Sequence, residues 1–553
     1  MKTKRLSLAY LLLLSTLFSG LPLTAVAQTR TQTQTPVAQP SPSPSPSPSP
    51  SPAIKLTPAQ TLPELQSKIS EILARPELAP ALVGIKVVSL DNGRVLFEEN
   101  AHKLLRPASN MKIYTVAAAL DRLSPDYRFV TSVYAPTRPD AAGVIRGDLT
   151  IYGRGDPSIA ARFNNGDYLK AINDLADRIV AAGVKRVEGD LVGDESYFVG
   201  PKYGSGWHWE DLTWYYGAEV TPLTVNDNAL DLFIKPGPAM GQPAVITTGP
   251  PDPLLTIVNK VVTSAKGLRR EISIHRELNE NTVTITGTIP LEDRGYTGGI
   301  GISHSGLLFV YLLRTSLAQK GVVVTGKSRT TGTVSQPPLI SAAPVMGTNG
   351  TSTPPAQNEI ATLQSPPFSL IAAQTLKPSQ NLYTELILRT LGKLTPPPAT
   401  TSSLGETSEN LGLEAVKSFL KTAGIRPESL VLDDGSGLSR NDMITAEASV
   451  QLLVFMSKHR YAQVFRDALP IAGVDGTLRN RMRGTPAENN VRAKTGSLSS
   501  AASLGGYVTT AAGEKLAFSI TVNNYPRDVD ARSLCLDPIT VLLASFAGKP
   551  EIK

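Results

Sequence analysis

From residue 57 onward, apolar and polar positions recur at two different periods, and the switch between them divides the chain. In "TLPELQSKISEILA", leucine and isoleucine fall three and four residues apart, the spacing of one helix face. "ALVGIKVVSLDNGRVLFEEN" then reads as two strands joined at Asp91-Asn92-Gly93, a strong hairpin signal. Residues 109–123, rich in alanine, methionine and valine, predict a helix. Beyond Ser124 the texture changes to short strands punctuated by glycine and proline. "GDLTIYGRGDPSI" and "VEGDLVGDESYF" share a Gly-Asp-Leu opening followed by a turn. Strands continue over residues 228–299 in "NALDLFIKPG", "AVITTG", "REISIHREL" and "NTVTITGTI". A helix at 307–319 leads into the strand "GVVVTGKSRTTG".

Helical spacing returns at residues 369–374, 381–391 and 413–423. Two segments rich in Pro, Thr, Ser and Gly, at about 336–367 and 396–409, predict surface loops. "NVRAKTGSLSSAASLGGYVTTAAGEKLAFSITVNN" reads as three strands with the second turn at Ala511-Ala512-Gly513, and a helix containing "ITVLLASF" closes the chain. Helix, hairpin and helix at one end, helices and an antiparallel sheet at the other, and a long β-rich stretch between them predict an α+β (mixed) fold. Its core would be built from both chain ends and would carry one or two inserted domains.

The residues before 57 follow other rules. Lys2, Lys4 and Arg5 precede a largely apolar run over 6–23, and Ala25-Val26-Ala27 supplies the small-x-small pattern of a cleavage site. Residues 1–27 thus read as a signal peptide, so export to the periplasm or cell-wall space is expected. An uncleaved anchor is the alternative reading. Pro22 and the immediate passage into polar sequence argue against it, and no cysteine follows for a lipid anchor. Residues 28–56 form a linker whose strict Ser-Pro alternation, 41–52, predicts an extended polyproline-like spacer.

At 553 residues the chain is long enough for roughly two or three domains and for a sizeable core. That matters because its one cysteine, Cys535, has no partner for an internal disulfide. The formal net charge of +7, less the three charges before the apolar run, leaves a mild +4. Without a basic stripe interleaved with aromatics, nucleic acid is not an expected partner. Five scattered histidines, His102, His208, His275, His304 and His459, show no metal-ligand spacing, so no metal or other cofactor is expected.

The candidate chemistry begins at "RPASNMKIYT", which places Ser109 and Lys112 on one face of a helical turn. A neutral lysine amine there can take the serine proton, and burial with neighbouring positive charge makes neutrality feasible. The spacing alone is weak, because about two such pairs arise by chance in a chain of this size. Ser418 and Lys421 in "KSFLK" are a second instance. Two downstream features separate them. "KPSQNLYTE" holds Ser379-Gln380-Asn381 at a turn entering a helix, and "RAKTGSL" holds Lys494-Thr495-Gly496 on a strand. Only Ser109 is followed, in order, by both.

With these motifs the sequence resembles the penicillin-binding serine D,D-peptidases and serine β-lactamases. The flanking stretches "GDLTIYGRGDPSI", "YYGAEVTPLTVNDNAL", "DDGSGLSRNDMITA" and "AKTGSLSSAASLGGYV" narrow the resemblance. They are similar to the low-molecular-mass class C penicillin-binding proteins, the D-alanyl-D-alanine carboxypeptidase/endopeptidases of the DacB-like family. The resemblance implies a β-lactamase-like transpeptidase domain, an antiparallel sheet flanked by helices, interrupted by two β-rich insertions. The implied peptidase domain is 57–121 with 341–553, the first insertion is 122–228 with 301–340, and the second is 229–300. The implied substrates are peptidoglycan stem peptides, with β-lactams as acylating inhibitors. Peripheral membrane association and the oligomeric state are left open.

The resemblance also implies roles. Ser109 attacks the carbonyl between the terminal D-alanines, Lys112 takes its proton, Ser379 relays a proton to the leaving amine, and Asn381 orients Lys112 and the substrate amide. Lys494 supplies positive charge that keeps Lys112 neutral and attracts the substrate carboxylate, which Thr495 also binds. Gly496 leaves room for the substrate backbone, and the amides of Ser109 and Ser497 form the oxyanion hole. Gln380 departs from a common aspartate, and "LGGYV" from a frequent Leu-Ser-Gly-Tyr. Asp156 is a candidate contact for the amine of a diamino acid, or a turn residue. Arg440 either lines the cleft or holds its loop. A serine β-lactamase is the alternative enzyme, disfavoured because the Glu-x-x-Leu-Asn pattern and a tyrosine in place of Ser379 are both missing. A Ser-His-Asp hydrolase is disfavoured by the lack of a G-x-S-x-G elbow. A non-catalytic wall-binding module would be expected to have lost Ser109 or Lys112.

Overall fold

The computed structural model describes residues 57–250, 252–332, 358–395 and 407–548. The expected signal segment, the Ser-Pro spacer and most of the two low-complexity loops lie outside the described residues.

The sheet that organises the molecule is made from both ends of the chain. Five antiparallel strands run in the order Arg492–Leu498, Ala501–Thr509, Lys515–Asn523, Leu82–Ser89 and Val95–Glu99. The Asp91-Asn92-Gly93 hairpin forms as expected, with Gly93 at φ 78°, a backbone region where a side chain is disfavoured. Leu82–Ser89 pairs along its whole length with Lys515–Asn523, from Leu82 opposite Asn523 to Ser89 opposite Leu516.

Helices cover both faces of this sheet, which is why its central strands are buried almost end to end. On one face Leu62–Leu73 turns Leu65, Ile69 and Ile72 toward the closing helix Asp537–Ser545. Its first turn is held by Thr61, whose hydroxyl accepts from the Glu64 amide at 3.3 Å. Cys535 is buried in the same core, and burial pushes its thiol up to about 12, so the lone cysteine is inert at neutral pH. On the other face the helix Lys112–Leu123 is buried at every position from Lys112 to Leu120. A helix enclosed on all sides is an interior element. It packs against Phe368–Leu376, Asn381–Leu394 and Ser408–Thr422. Ser418 and Lys421 lie exposed on the last of these, so the second Ser-x-x-Lys pair is a solvated helix surface.

The long middle stretch builds a second core. Its mixed sheet runs in the order Ser328–Thr331, Leu191–Asp194, Leu149–Tyr152, Val130–Ala135 and Asn358–Gln364. The two Gly-Asp-Leu stretches become adjacent parallel strands in register, Leu149 opposite Leu191 and Tyr152 opposite Asp194. Arg329 spans the repeated aspartates, donating to Asp148 at 2.7 Å and to Asp190 at 2.8 Å. The helices Lys170–Ala181 and Ser305–Gln319 pack on this layer, and two three-stranded sheets from 229–301 continue the same apolar core.

Several elements differ from expectation. The loop expected at about 336–367 ends in the strand Asn358–Gln364, which pairs with Val130–Ala135 and buries Ala361 and Leu363. A short alternating segment was hidden by its Pro- and Thr-rich surroundings. The helix Lys170–Ala181 was missed, although Ile172, Leu175, Ala176 and Ile179 carry a helical period. Ala446–Ser457 and Ala462–Ala468 are further unforeseen helices. Ser408–Thr422 begins earlier than expected because the Thr407 hydroxyl caps it, accepting from the Asn410 amide at 3.1 Å.

Ile520, fully buried between Ile85 and Leu504 on neighbouring strands, joins the two chain ends. Ile520→Ala is expected to lower unfolding free energy by about 3 kcal/mol in urea titration. Ser418→Ala, on the exposed helix face, should stay within about 0.5 kcal/mol of the parent chain.

Candidate active site

Ser109 does not open an α-helix directly. It lies in a 3-10 turn, Ala108–Met111, and the α-helix starts at Lys112. Ala108 enters the turn in the left-handed region at φ 48°, a strained setting that locates Ser109 at a sharp bend. The turn is fastened to the sheet by Asn110, which donates to the Ser503 hydroxyl at 2.6 Å. That hydroxyl in turn donates to the Pro107 carbonyl, also at 2.6 Å.

One helical turn carries the Lys112 amine back toward the serine. Lys112 is fully buried, and its Nζ lies 2.9 Å from Ser109 Oγ, 2.6 Å from Asn381 Oδ1 and 2.6 Å from the Ser436 carbonyl. These partners come from three places in the sequence. Asn381 opens the helix Asn381–Leu394, so its side chain is at the helix mouth, and its Nδ2 donates to the Tyr216 carbonyl at 2.8 Å. Ser436 sits in the "DDGSG" loop, which is wrapped around the buried Asp434 carboxylate. Asp434 accepts from the amides of Ser436, Gly437, Leu438 and Ser439. Gly437, at φ 77°, has no room for a Cβ, which would fall 1.9 Å from the Ala108 carbonyl.

A second lysine–serine pair faces the first. Lys494 projects from the edge strand Arg492–Leu498, is fully buried, and donates to Ser379 Oγ at 2.8 Å. Ser379 is itself left-handed at φ 66°, as a tight turn before the Asn381 helix requires. Next along the strand, the Thr495 hydroxyl lies 2.8 Å from that of Thr477. Ser497 follows on the same strand, whose outer edge is bridged to Ile471 at Arg492 and, among the described residues, pairs with no strand beyond that point.

Two expectations change, and the Arg440 contacts match one of its two alternatives. Lys494 was expected to hold the charge that keeps Lys112 neutral. Within the protein alone, Lys494 is pushed well below its ordinary value, first by burial and then by the Lys112 charge. Burial brings Lys112 down to about 8, opposed by the nearby carboxylates of Asp434, Glu385 and Asp442. Gly496 was expected to leave room for a substrate backbone. A Cβ there would instead lie 2.2 Å from Ser503 Oγ and 2.4 Å from the Pro107 carbonyl, so the glycine lets the strand abut the Ser109 turn. Arg440 holds its loop: it donates to Asp211 at 2.7 Å and to the Leu438 carbonyl at 2.8 Å.

Asp156 is not joined to this cluster by any hydrogen bond among the described residues. It is buried, its Oδ1 accepts from the Ser158 amide at 2.8 Å and the Ser158 hydroxyl at 2.7 Å, and its Oδ2 is unpartnered. Burial raises its carboxyl to about 6. Ser109, Lys112, Ser379, Asn381 and Lys494 are thus brought together, with Thr495, Gly496 and Ser497 on the adjoining strand. Residues that motif reading missed are Asp434, Ser436, Glu385 and the Tyr216 carbonyl. Two aspartates directly before Gly435-Ser436-Gly437 were the signal for the first two. Nothing in the sequence marks a backbone carbonyl.

The D-Ala-D-Ala carboxypeptidase 3 (S13) family matches residues 65–545. A D-alanyl-D-alanine carboxypeptidase of Actinomadura sp. strain R39 is 33% identical over 499 residues, spanning 88% of this chain and 86% of that protein. The D-alanyl-D-alanine carboxypeptidase DacB of Haemophilus influenzae is 25% identical over 448 residues, 80% of this chain and 85% of that one. The crystal structure of penicillin binding protein 4 (dacB) from Haemophilus influenzae has the same fold. It aligns with a TM-score of 0.70 at 22% identity, over 85% of this chain and 97% of that one. With the resemblance of its motifs upheld over nearly the whole globular sequence, the chain belongs to the D-Ala-D-Ala carboxypeptidase 3 (S13) family of peptidases.

Proposed function

We propose that the chain is a serine-type D-Ala-D-Ala carboxypeptidase and D,D-endopeptidase of peptidoglycan stem peptides, working through an acyl-enzyme on Ser109. The observation that carries this reading is the buried Lys112 amine, 2.9 Å from the Ser109 hydroxyl, with Lys494 and Ser379 paired alongside at 2.8 Å.

The steps follow from the atoms present. Ser109 Oγ attacks the carbonyl carbon of the penultimate D-alanine as its proton passes to neutral Lys112. The carbonyl oxygen becomes an oxyanion directed at the Ser109 and Ser497 amides. The tetrahedral species collapses, the C–N bond breaks, and the departing amine takes a proton by way of Ser379. Water then attacks the ester and returns Ser109. Asn381, bonded to Lys112 through Oδ1, fixes the amine and orients the substrate amide. The free edge of the Lys494 strand accepts the substrate as an added strand. The substrate carboxylate restores a charge on Lys494, beside Thr495, and that charge lowers the Lys112 amine further at the moment a base is needed. On this reading Arg440 shapes the cleft through its loop, and Asp156 offers only its unpartnered Oδ2 to a substrate amine. β-Lactams enter the same path and stop at the ester.

The same reading divides the chain. Residues 57–121 and those from 365 onward form the peptidase domain, 122–228 with 301–364 one insertion, and 229–300 the other. Placing the return after Gln364 rather than at 341 is supported by the pairing of Asn358–Gln364 with Val130–Ala135. The apolar run and cleavage pattern before residue 28 support export to the space where peptidoglycan lies.

Gel labelling with a fluorescent penicillin tests the nucleophile. The parent chain and Ser418→Ala should label equally and Ser109→Ala not at all, and equal labelling of Ser109→Ala would sink the assignment. Lys112→Ala should slow acylation about a thousandfold. Because Lys112 acts when neutral and sits at about 8, acylation should climb as pH rises through that value and fall about tenfold per unit below it. A stopped-flow pH profile that is flat from about 6 to 9 would exclude Lys112 as the base. Release of D-alanine from pentapeptides, and cleavage of cross-linked muropeptides, measure the two activities separately.

A further inference from the structure

The middle of the chain does not merely sit beside the catalytic cluster. Its segment 203–217 holds the cluster at several points. Trp207 Nε1 donates to Asp434 Oδ2 at 2.8 Å. The Ser205 hydroxyl donates to Asp433 at 3.0 Å, and Arg440 reaches back to Asp211 at 2.7 Å. Tyr216 supplies the carbonyl that binds Asn381 at 2.8 Å. Gly206 is pressed so close to the same loop that a Cβ would meet Ser439 Oγ at 2.2 Å. The loop these contacts fasten presents the Ser436 carbonyl to Lys112 at 2.6 Å. Its shape is set by one carboxylate, Asp434, buried and surrounded by backbone amides, the Ser436 hydroxyl and the Trp207 indole.

We propose that Asp434, clamped by Trp207 from the inserted stretch, is the positioning residue that fixes Lys112 and sets the pH at which it becomes a base. The proposal rests on the reading of Ser109 and Lys112 given above. Four backbone amides, a hydroxyl and an indole converge on this one carboxylate, and its field raises the neighbouring Lys112 amine against the effect of burial. The other charged or titratable groups facing Lys112 are Glu385 from the helix Asn381–Leu394, Asp442 from the far end of the loop, and Lys494 from the edge strand. Burial and neighbouring carboxylates raise Glu385 and Asp442 well above their ordinary values, which favours their neutral forms. Of the three carboxylates, Asp434 acts most strongly on Lys112, and through Trp207 the inserted stretch becomes part of the catalytic centre.

The test is the pH dependence of acylation by a chromogenic cephalosporin, measured on the full chain and on Asp434→Asn, Trp207→Phe and Trp209→Ala. Asp434→Asn removes the charge that favours the ammonium, so the rise in rate should move to lower pH by about one unit, with a lower plateau. Trp207→Phe loosens the same carboxylate and should shift the rise in the same direction by less, with an unchanged melting temperature. Trp209→Ala, on the exposed indole of the same segment, should match the parent chain. A rise that stays in place or moves up in Asp434→Asn overturns the proposal, even if the rate falls at every pH, because that is what a purely structural residue would give. If Asp434→Asn shows no cooperative melt, Trp207→Phe decides, and a rise at the parent position overturns the proposal. Failure of the parent chain to be acylated would instead overturn the reading of Ser109.

Discussion

The structure is built around an amine that has been taken out of water. An isolated ammonium in a protein interior costs several kcal/mol unless it is paired or gives up its proton. Lys112 meets both conditions in part. It has three oxygen acceptors, one from its own turn and two from distant segments, and it is buried deeply enough to sit near 8. Each acceptor has to be delivered accurately, and the larger architecture follows from that demand. The sheet formed by both chain ends carries the Ser109 turn and Lys494, the Asn381 helix closes one side, and the Asp434 loop closes another.

Beneath the site the polar interior continues. Glu385, one helical turn from Asn381, accepts from the Gly435 amide at 3.1 Å. Arg389, another turn along, is buried, donates to the Pro201 carbonyl at 2.7 Å, and lies 3.7 Å from Glu409. The face of the helix Asn381–Leu394 that meets the loop and the inserted stretch is therefore lined with groups that cannot be left unpartnered cheaply. A second tie joins the helix to the middle of the chain. Tyr383 donates to Asp227, the middle residue of three consecutive left-handed residues, Asn226, Asp227 and Asn228. Asn226 and Asn228 spend their side chains holding backbone on either side, at Ala161, Tyr168 and Glu219. Strain of this kind persists where the surroundings fix it, and here it ties residues 226–228 to the helix that begins at Asn381.

How much of this was legible in the sequence depended on the range of the interaction. Ser109, Lys112, Ser379, Asn381 and Lys494 could be singled out as candidates because their chemistry needs particular side chains at short, recognisable spacings. The hairpin at Gly93 and the strands through Asn523 were legible because turn chemistry and alternation act locally. The downward push on both lysines was not legible, since it depends on their burial and, for Lys494, on the Lys112 amine folding beside it. Nor was the purpose of Gly496, whose missing side chain makes room for Pro107 and Ser503. The holds from Trp207 and the Tyr216 carbonyl join positions more than a hundred residues apart, with no pattern to mark them. The two Gly-Asp-Leu stretches lie between these cases: visible as a repeat, but meaningful only once Leu149 and Leu191 are paired.

The central claim is that Lys112 is a buried amine poised to lose its proton near neutral pH. Labelling lysine side chains with 13C at Cε, and assigning the Lys112 signal with Lys112→Arg, follows that proton directly by NMR titration. The account predicts a Lys112 transition near 8 rather than at the ordinary 10.5. A Lys112 signal that titrates with the exposed lysines would contradict it.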